Sequence, residues 1–386
     1  MKRIIALVLV FLFAFASLNL VACGNINQNN VAVLWAGDGE VKVPDSLINC
    51  LERSMYIEKI GYEHYGAKGK ADTQYDQAKT AVEANAAALV VELVNSLDAQ
   101  KFVDLAKSKN IPIVFVNCAV VSDVLASYEK CALVASDITT VAATQGEQIA
   151  KYVKDNFKNI DRNGDGKISY VAYTVGLTAA QSAEAANKLL TADEDYKLDK
   201  EGKRTELVFY DAKNIFKVLP ALGAGISQAE IMEKYNDESE NTVELIITDS
   251  DYVAFDVLVA LQENGFNTDK LTTHCIPMFT VGFEMDYKTA VLKGAPDKDA
   301  DKYFEDAKYL CDLTVVAEED RDEMIWNTKN VIGAGRIAGT VIEDQDGITG
   351  AVAVILRNLI KGNETFKDLD SDNVKSKTYL VPYIAN

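Results

Sequence analysis

Apolar runs and amphipathic stretches alternate along the chain from about residue 31 to its end. Continuous apolar runs such as Ala88–Leu93 and Ile111–Val116 predict buried strands, and the intervening stretch Leu97–Lys109 predicts a helix. Apolar strands separated by helices of about ten or more residues are typical of parallel sheets that are covered on both faces. Because the predicted strands are too many for one ordinary sheet, the pattern predicts an α/β fold with two doubly wound parallel-sheet domains.

The individual elements follow from the same pattern. The predicted strands lie at about residues 31–35, 88–93, 111–116, 131–135, 168–174, 206–210, 243–248, 279–281, 336–342 and 378–384. The predicted helices lie at about residues 45–60, 74–85, 97–109, 140–156, 181–190, 228–235, 251–264 and 348–361. A segment near 284–322, most densely charged over 297–322, interrupts the alternation and predicts a solvated, acidic helical insertion in the second domain.

The N-terminus has the pattern of a secretion signal over residues 1–22. Two basic residues, Lys2 and Arg3, precede the apolar stretch Ile4–Leu20, and small residues then lead to Cys23. This ending resembles the lipobox of bacterial lipoproteins, in which the cysteine is lipidated, and residues 23–30 would then form a polar tether. The alternative is an ordinary cleaved signal with a chance cysteine. The lipoprotein interpretation predicts an exported protein that is attached to a membrane surface through its lipid.

Composition narrows the classes of partner and chemistry. The formal net charge is −19, so the chain is repelled by nucleic acid and by anionic headgroups, and no nucleic-acid partner is expected. Six cysteines are widely spaced without a CxxC pair, and only two histidines are present, which disfavours a zinc site. One disulfide is an open alternative, without a preferred pair. Neither histidine lies in a motif with a nucleophile, so we do not expect the protein to be an enzyme. As a separate expectation, the protein is a monomer.

The segment from residue 161 to 169 has the spacing of a calcium-binding loop of EF-hand type. Oxygen-bearing side chains stand at its first, third, fifth and ninth positions, a glycine at the sixth, and the seventh supplies a backbone carbonyl. The corresponding residues are Asp161, Asn163, Asp165, Ser169, Gly166 and Lys167. The twelfth position, normally a bidentate glutamate, is Ala172. A plain surface turn is the alternative, since Asp, Asn and Gly favour turns for their own reasons.

The chain resembles the periplasmic galactose/glucose-binding proteins, which are type I solute-binding proteins of ABC transporters. Its markers are Ile111–Asn117, the calcium loop, Gly339–Val341 and Val381–Tyr383. The resemblance implies two lobes joined by a hinge, residues 31–137 plus 343–378 and residues 138–342 plus 379–386. It also implies that a glutamate remote from the loop completes a structural calcium site, and that residue is Glu244. A strand-edge surface glutamate is the alternative.

The same resemblance implies a ligand site in the cleft between the lobes. Asn117 matches a family ligand position, with a structural asparagine as the alternative. The other candidate ligand residues are Trp35, Asp38, Gln181, Phe216, Ser250 and Glu343. Several polar family ligands are replaced, because their positions fall on Ala180, Ser182, Ala186 and Gly282. Since a site built to pair hydroxyls discriminates strongly, these changes predict a different ligand or a sugar held by other contacts.

These expectations define the leading function and its alternatives. The leading function is a lipid-anchored solute-binding protein of an ABC importer, which binds a small polar molecule such as a monosaccharide and presents it to the permease. The alternative is a sensory lipoprotein that signals to a membrane receptor with a non-sugar ligand. Genes for a permease and an ATPase beside this gene would favour transport.

Overall fold

The protein is described by a computed structural model at residues 27–37, 45–173, 178–192, 207–209, 243–251, 253–254, 257–258, 261, 266–267, 275–282, 335 and 337–386. The chain divides into two compact units. Unit 1 comprises the residues up to Ser136 and Gln345–Val381, and unit 2 comprises Asp137–Asp344 and Pro382–Asn386. Across the described positions, none of the helices has the length and apolar character needed to cross a bilayer.

Unit 1 is built on a seven-stranded sheet with a parallel centre. The strand order is β11-β12-β5-β4-β3-β1-β2. From β2 to β5 the neighbouring strands are parallel, and β11 pairs antiparallel with β12. The strands are β1 (Asn27–Trp35), β2 (Ile60–Gly66), β3 (Ala88–Val91), β4 (Ile113–Val116), β5 (Cys131–Asp137), β11 (Val374–Lys375) and β12 (Thr378–Pro382).

Helices cover both faces of this sheet, because alternate strand residues point to opposite sides. Val31, Val33 and Trp35 lie in one apolar cluster, and Ala32 and Leu34 lie in the other. The helices of the first cluster are α1 (Asp45–Ile57) and α7 (Gln345–Lys361), and those of the second are α2 (Ala71–Glu83), α3 (Ala99–Ser108) and α4 (Ser122–Ala126). Strands that are buried on both faces explain the continuous apolar runs of the sequence.

Unit 2 is built on a six-stranded sheet in the order β13-β10-β9-β8-β6-β7. The pairs from β10 to β7 are parallel, and β13 is antiparallel to β10. Its strands are β6 (Ile168–Tyr173), β7 (Leu207–Phe209), β8 (Leu245–Thr248), β9 (Met278–Val281), β10 (Gly339–Ile342) and β13 (Ile384–Ala385). Helices α5 (Val141–Ile160) and α6 (Thr178–Ala192) pack on the sheet in a single apolar cluster. Both units are therefore parallel-dominated α/β layers, which confirms the predicted fold class.

Three boundaries differ from the predictions. The predicted tether over residues 23–30 overlaps β1, which begins at Asn27 and pairs with β2 through a bulge between Asn27 and Asn30. Strand β2 was not predicted, because most of its residues are only partly buried and its polar side chains hide the strand pattern. Helix α1 ends at Ile57 rather than at residue 60, and Lys59 takes a positive φ of 57° before β2 begins.

The C-terminal strand and the lobe boundaries also differ. The predicted strand 378–384 is two strands in different sheets, β12 in unit 1 and β13 in unit 2. Tyr379 and Val381 lie in the core of unit 1, which corrects their assignment to the second lobe. The chain passes between units after Ser136, Asp344 and Val381, so Asp137 and residues 343–344 belong to unit 2.

Several predicted features lie outside the described residues. They are the signal at 1–22, the lipidated Cys23, Asp38, Phe216, the predicted helix at 228–235 and the acidic insertion at 284–322. Among the described residues, Cys50, Cys118 and Cys131 have free thiols.

Candidate functional site

The predicted calcium loop connects the end of α5 to the start of β6. Asp161 caps α5, and its backbone N–H donates to Phe157 O at 2.9 Å. Gly164 and Gly166 take positive φ values of 71° and 80°, a conformation that glycine adopts without strain. Side chains brace the turn from within, since Asp165 N–H donates to Asn163 Oδ1 at 2.9 Å and Gly166 N–H donates to Asp161 Oδ2 at 3.2 Å.

Glu244, nominated from the sequence as the remote ligand, lies against this loop. It directly precedes β8, which pairs with β6, and its backbone N–H donates to Ser169 O at 2.8 Å. Its Oε1 accepts from the N–H groups of Arg162 at 2.6 Å and Asn163 at 3.3 Å. Its Oε2 accepts from Ser169 N–H at 2.9 Å. Only 1% of Glu244 is exposed, so the alternative of a surface glutamate does not describe it.

The Glu244 and Asp161 carboxylates lie close together at the loop, and burial disfavours the charged form of each. Burial raises the pKa of Glu244 to about 6, despite three backbone hydrogen bonds that lower it, and the Asp161 charge adds to the rise. Burial also raises the pKa of Asp161, and its buried Oδ1 has no hydrogen-bond partner among the residues that the structure describes. Buried carboxylate oxygens without donors are costly, and a hard cation would satisfy them.

The donor set fits calcium by chemistry, since it consists of carboxylate, amide, hydroxyl and carbonyl oxygens. The residues that would hold the ion are Asp161, Asn163, Asp165, Lys167 through its carbonyl, Ser169 and Glu244. Among the described residues, no group of three or more His, Cys, Asp or Glu side chains forms a metal cluster by itself. Calcium binding at this loop is a proposal that rests on the chemistry of these oxygen donors.

In unit 1, the predicted ligand residues differ in their surroundings. Asn117 follows the carboxyl end of β4, is exposed, and takes a positive φ of 53°. The carboxyl ends of parallel strands are where α/β sheets bind ligands, so its position suits the prediction. Trp35 is 4% exposed within the core, and its indole N–H donates to His64 Nδ1 at 3.0 Å. The structure thus corrects Trp35 from a ligand residue to a core residue whose polar atom already has a partner.

In unit 2, two predicted ligand residues come after the carboxyl ends of strands β8 and β10. Ser250 comes just after β8 and is half-buried, and Glu343 comes just after β10. The Glu343 carboxylate accepts a hydrogen bond from the Tyr383 hydroxyl at 3.3 Å, and burial, with the Glu343 charge, raises the pKa of Tyr383 to about 12. Gln181 is exposed in the first turn of α6.

Two of the positions where the resemblance places polar family ligands lie within a helix interface. Ser182 and Ala186 are fully buried, and they pack α6 against α5. A Cβ placed on Gly146 of α5 would lie 2.9 Å from Ala186 N and from Ser182 O. These two positions therefore serve helix packing.

Two carboxylates near the carboxyl ends of strands were not predicted from the sequence as candidate site residues. In unit 2, Asp251 is 5% exposed, and its Oδ1 accepts from the Thr280 hydroxyl at 3.4 Å. A Cβ placed on Gly282 would lie 2.6 Å from this carboxylate, so glycine leaves room for it. In unit 1, Glu92 follows β3 and accepts from Ala36 N–H at 3.2 Å. A charged residue directly after an apolar strand was the available signal for Glu92.

The architecture and the sequence together identify the protein family to which the chain belongs. The two parallel α/β units carry polar side chains at strand carboxyl ends, which is where such sheets bind ligands. The sequence matches the family described as "Periplasmic binding protein domain" over residues 55–306. The chain belongs to this periplasmic binding protein family, and the family-level resemblance predicted from the sequence is confirmed.

Three known proteins are similar to this chain to different extents. The D-galactose/methyl-galactoside binding periplasmic protein MglB of Haemophilus influenzae is 29% identical over 311 residues, which cover 81% of this chain and 75% of that protein. A mutant XylFII–LytSN complex is 11% identical with a TM-score of 0.52, and the match covers 93% of this chain and 97% of that chain. An ABC transporter solute binding protein from Bacillus halodurans C-125 with bound myo-inositol is 14% identical with a TM-score of 0.41, covering 94% and 96%.

Proposed function

We propose that this protein is the sugar-binding or polyol-binding component of an ABC importer. The supporting observation is that polar side chains, Asn117 in unit 1 and Ser250 and Glu343 in unit 2, follow the carboxyl ends of parallel strands. Amide, hydroxyl and carboxylate groups are the groups that pair sugar hydroxyls. The 29% identical relative is a binding protein for D-galactose and methyl-galactoside, which supports a carbohydrate as the ligand.

The same proposal includes a specificity that differs from galactose and glucose. The resemblance places the polar family ligands on residues that include Ala180 and Gly282, which carry no polar side-chain atom. Because an unpaired hydroxyl in a binding site is costly, a ligand held here is expected to place its hydroxyls differently. The residues proposed to contact it are Asn117, Asp38, Gln181, Phe216, Ser250 and Glu343.

A thermal-shift screen over monosaccharides, polyols, nucleosides and amino acids tests this function. Any ligand that binds only the folded protein raises its melting temperature, by an amount that grows with the logarithm of the ratio of its concentration to its Kd. We expect stabilisation by at least one monosaccharide or polyol and no response to nucleosides or amino acids. Stabilisation by an amino acid or a nucleoside alone would reject the carbohydrate proposal.

Calcium is proposed as a structural ion of unit 2, held by the loop at 161–169 and Glu244. The support is the oxygen donor set, the unpaired Asp161 Oδ1 and the burial of Glu244. An ion that binds only the folded state stabilises by about 2.7 kcal/mol at a concentration 100 times its Kd. It supplies no chemistry to a ligand. Removing it would leave the buried Glu244 carboxylate beside the Asp161 charge, with only backbone hydrogen bonds to offset the repulsion.

Melting in calcium and in EDTA tests the ion. We expect EDTA to lower the melting temperature of wild-type protein and to have no effect on Glu244→Gln, which loses one of the two carboxylate oxygens. Glu184→Gln, at an exposed position on α6, is the matched control and should keep the wild-type response. Equal melting of the wild type in calcium and EDTA would contradict the calcium proposal.

Export and lipid attachment at Cys23 complete the proposal. The support is the basic, apolar and small-residue pattern of residues 1–22 followed by this cysteine. Fractionation of expressing bacterial cells tests it, with the wild type expected in the membrane fraction and Cys23→Ala released from it. A wild-type protein that stays entirely outside the membrane fraction would contradict lipid attachment.

A further inference from the structure

Glu92 is a half-buried carboxylate at the carboxyl ends of the parallel strands of unit 1. It follows β3 in the centre of the sheet, where β1 lies on one side and β4 on the other. In register, Leu34 lies opposite Val91, and Val91 lies opposite Phe115, so Glu92 lies level with Trp35 and Val116, the last residues of β1 and β4, at the carboxyl edge of the sheet. Ligands bind at this edge in open α/β sheets.

The Glu92 carboxylate has far more acceptor capacity than its neighbours use. An ionised carboxylate has two oxygens that together can accept about four hydrogen bonds. Among the residues that the structure describes, Glu92 accepts one, from Ala36 N–H to Oε2 at 3.2 Å, and it forms no ion pair. Burial raises the pKa of Glu92, which shows that its charge is poorly solvated.

The backbone that carries Glu92 is fixed by a buried glutamine. Gln74 of α2 is 1% exposed, and its Nε2 donates to Glu92 O at 2.7 Å and to Leu34 O at 3.4 Å. Its Oε1 accepts from Val94 N–H at 3.1 Å. One side chain therefore fastens the ends of β1 and β3 and the residues that follow β3. A carboxylate held on such a rigid edge loses little entropy when it binds a ligand.

The residues beside Glu92 also lie at the carboxyl ends of the parallel strands. Ala36, whose N–H contacts the carboxylate, accepts from Gly69 N–H at 2.9 Å, so the partner of Glu92 is itself held in place. The Cys118 thiol donates to Val91 O at 3.8 Å, so it lies beside the residue that precedes Glu92. Burial raises the pKa of Cys118 to about 11, and the Glu92 charge adds to the rise. Cys118 follows the exposed Asn117, so both polar groups belong to the same edge.

We propose that Glu92 is a specificity-determining residue that contacts the ligand directly and accepts hydrogen bonds from its hydroxyl groups. Gln74 is the corresponding positioning residue, since it acts through the Glu92 backbone. The chemical class implied is a polyhydroxylated ligand with adjacent hydroxyls, because two neighbouring donors match the two oxygens of one carboxylate. This inference rests on the proposed carbohydrate function and names one contact within it.

Titration calorimetry with deoxy sugars tests the contact. The probes are the monosaccharides D-galactose, D-glucose and L-arabinose, the polyol myo-inositol, and the deoxy derivatives of whichever binds wild-type protein. Hydrogen bonds to charged groups contribute about 1.5–3 kcal/mol, so Glu92→Ala is expected to weaken binding about 10- to 100-fold. Removing either hydroxyl that donates to Glu92 should weaken wild-type binding and leave binding by Glu92→Ala nearly unchanged. A purely structural role would not produce this coupling.

Two further variants guard against a loss of folding. Glu92→Gln keeps the shape and an acceptor oxygen for Ala36 N–H and carries no charge, so at neutral pH it is expected to melt at or above the wild-type temperature while binding more weakly. Glu83→Gln, at an exposed position on α2, is the control and should bind like the wild type. If the wild type binds a probe and Glu92→Ala binds it within about two-fold, the inference is wrong while the proposed function stands. If no probe binds the wild type, the carbohydrate function itself fails, and the inference fails with it.

Discussion

Single glutamates at strand ends differ in role according to their hydrogen-bond partners. The Glu244 carboxylate accepts three backbone N–H groups from the loop, whereas the Glu92 carboxylate accepts one. Glu244 could be nominated because the loop lacks a carboxylate at its twelfth position and the family resemblance implies a remote glutamate. The contact that positions Glu92 was not predictable, because Gln74 lies on a different element and no local spacing indicates it.

The raised pKa of Glu92 predicts a pH-dependent stability. The folded protein binds the Glu92 proton at higher pH than the unfolded chain, whose ordinary value is 4.5. The contribution of this proton to stability is therefore absent at neutral pH, grows as pH falls through the folded pKa, and is complete below 4.5. Scanning calorimetry from pH 7 to pH 4 should show wild type gaining melting temperature relative to Glu92→Gln. A difference that stays constant with pH would contradict this prediction.

Gly282 provides a second test at the residue scale. It takes a φ of 117°, and a Cβ there would lie 2.6 Å from the Asp251 carboxylate. We expect Gly282→Ala to lower the free energy of unfolding by about 1–3 kcal/mol, through backbone strain and this contact. The control is Gly350→Ala in α7, where no atom lies within 4 Å and alanine should be neutral or stabilising. Denaturant unfolding of both variants measures the difference, and equal stability would contradict the account.

Among the elements, the fully buried strands were predictable and the edge elements were not. Strands β3 and β4 are buried at every position, so their apolar runs identify them. Strand β2 lies at the edge of its sheet with partly exposed polar residues, and pairing with β1 holds it despite that pattern. The separation of β12 from β13 depends on which sheet each one joins, and only tertiary structure decides that.

The packing of α5 on α6 gives a prediction at the element scale. A Cβ on Gly146 would lie 2.6 Å from Ala185 Cβ, so the helices approach closely at this glycine. Gly146→Ala gains helix propensity but forces the helices apart, and we expect a net loss of about 1–3 kcal/mol in the free energy of unfolding. Glu147→Ala, at the neighbouring exposed position, is the control and should change stability little. Urea unfolding that shows Gly146→Ala to be as stable as the wild type would contradict close packing.

For the whole molecule, fold class and family followed from the alternating pattern and a few motifs, whereas the ligand did not. Two parallel-sheet units reproduce the predicted architecture, and the family match over residues 55–306 agrees with it. The ligand contacts were less predictable, because they come from separate strand ends whose neighbours are set by tertiary structure. Trp35 illustrates this point, since its aromatic ring suited a sugar but lies in the core beside His64.

Titration calorimetry of the mature protein, in saturating calcium, tests the central claim most directly. The account predicts saturable binding of one equivalent of a monosaccharide or polyol, with D-galactose and D-glucose bound weakly because the polar family ligands are replaced. Tight binding of D-galactose or D-glucose would contradict the altered specificity. Saturable binding of an amino acid or nucleoside, with no heat from any sugar or polyol, would contradict the proposed function as a whole.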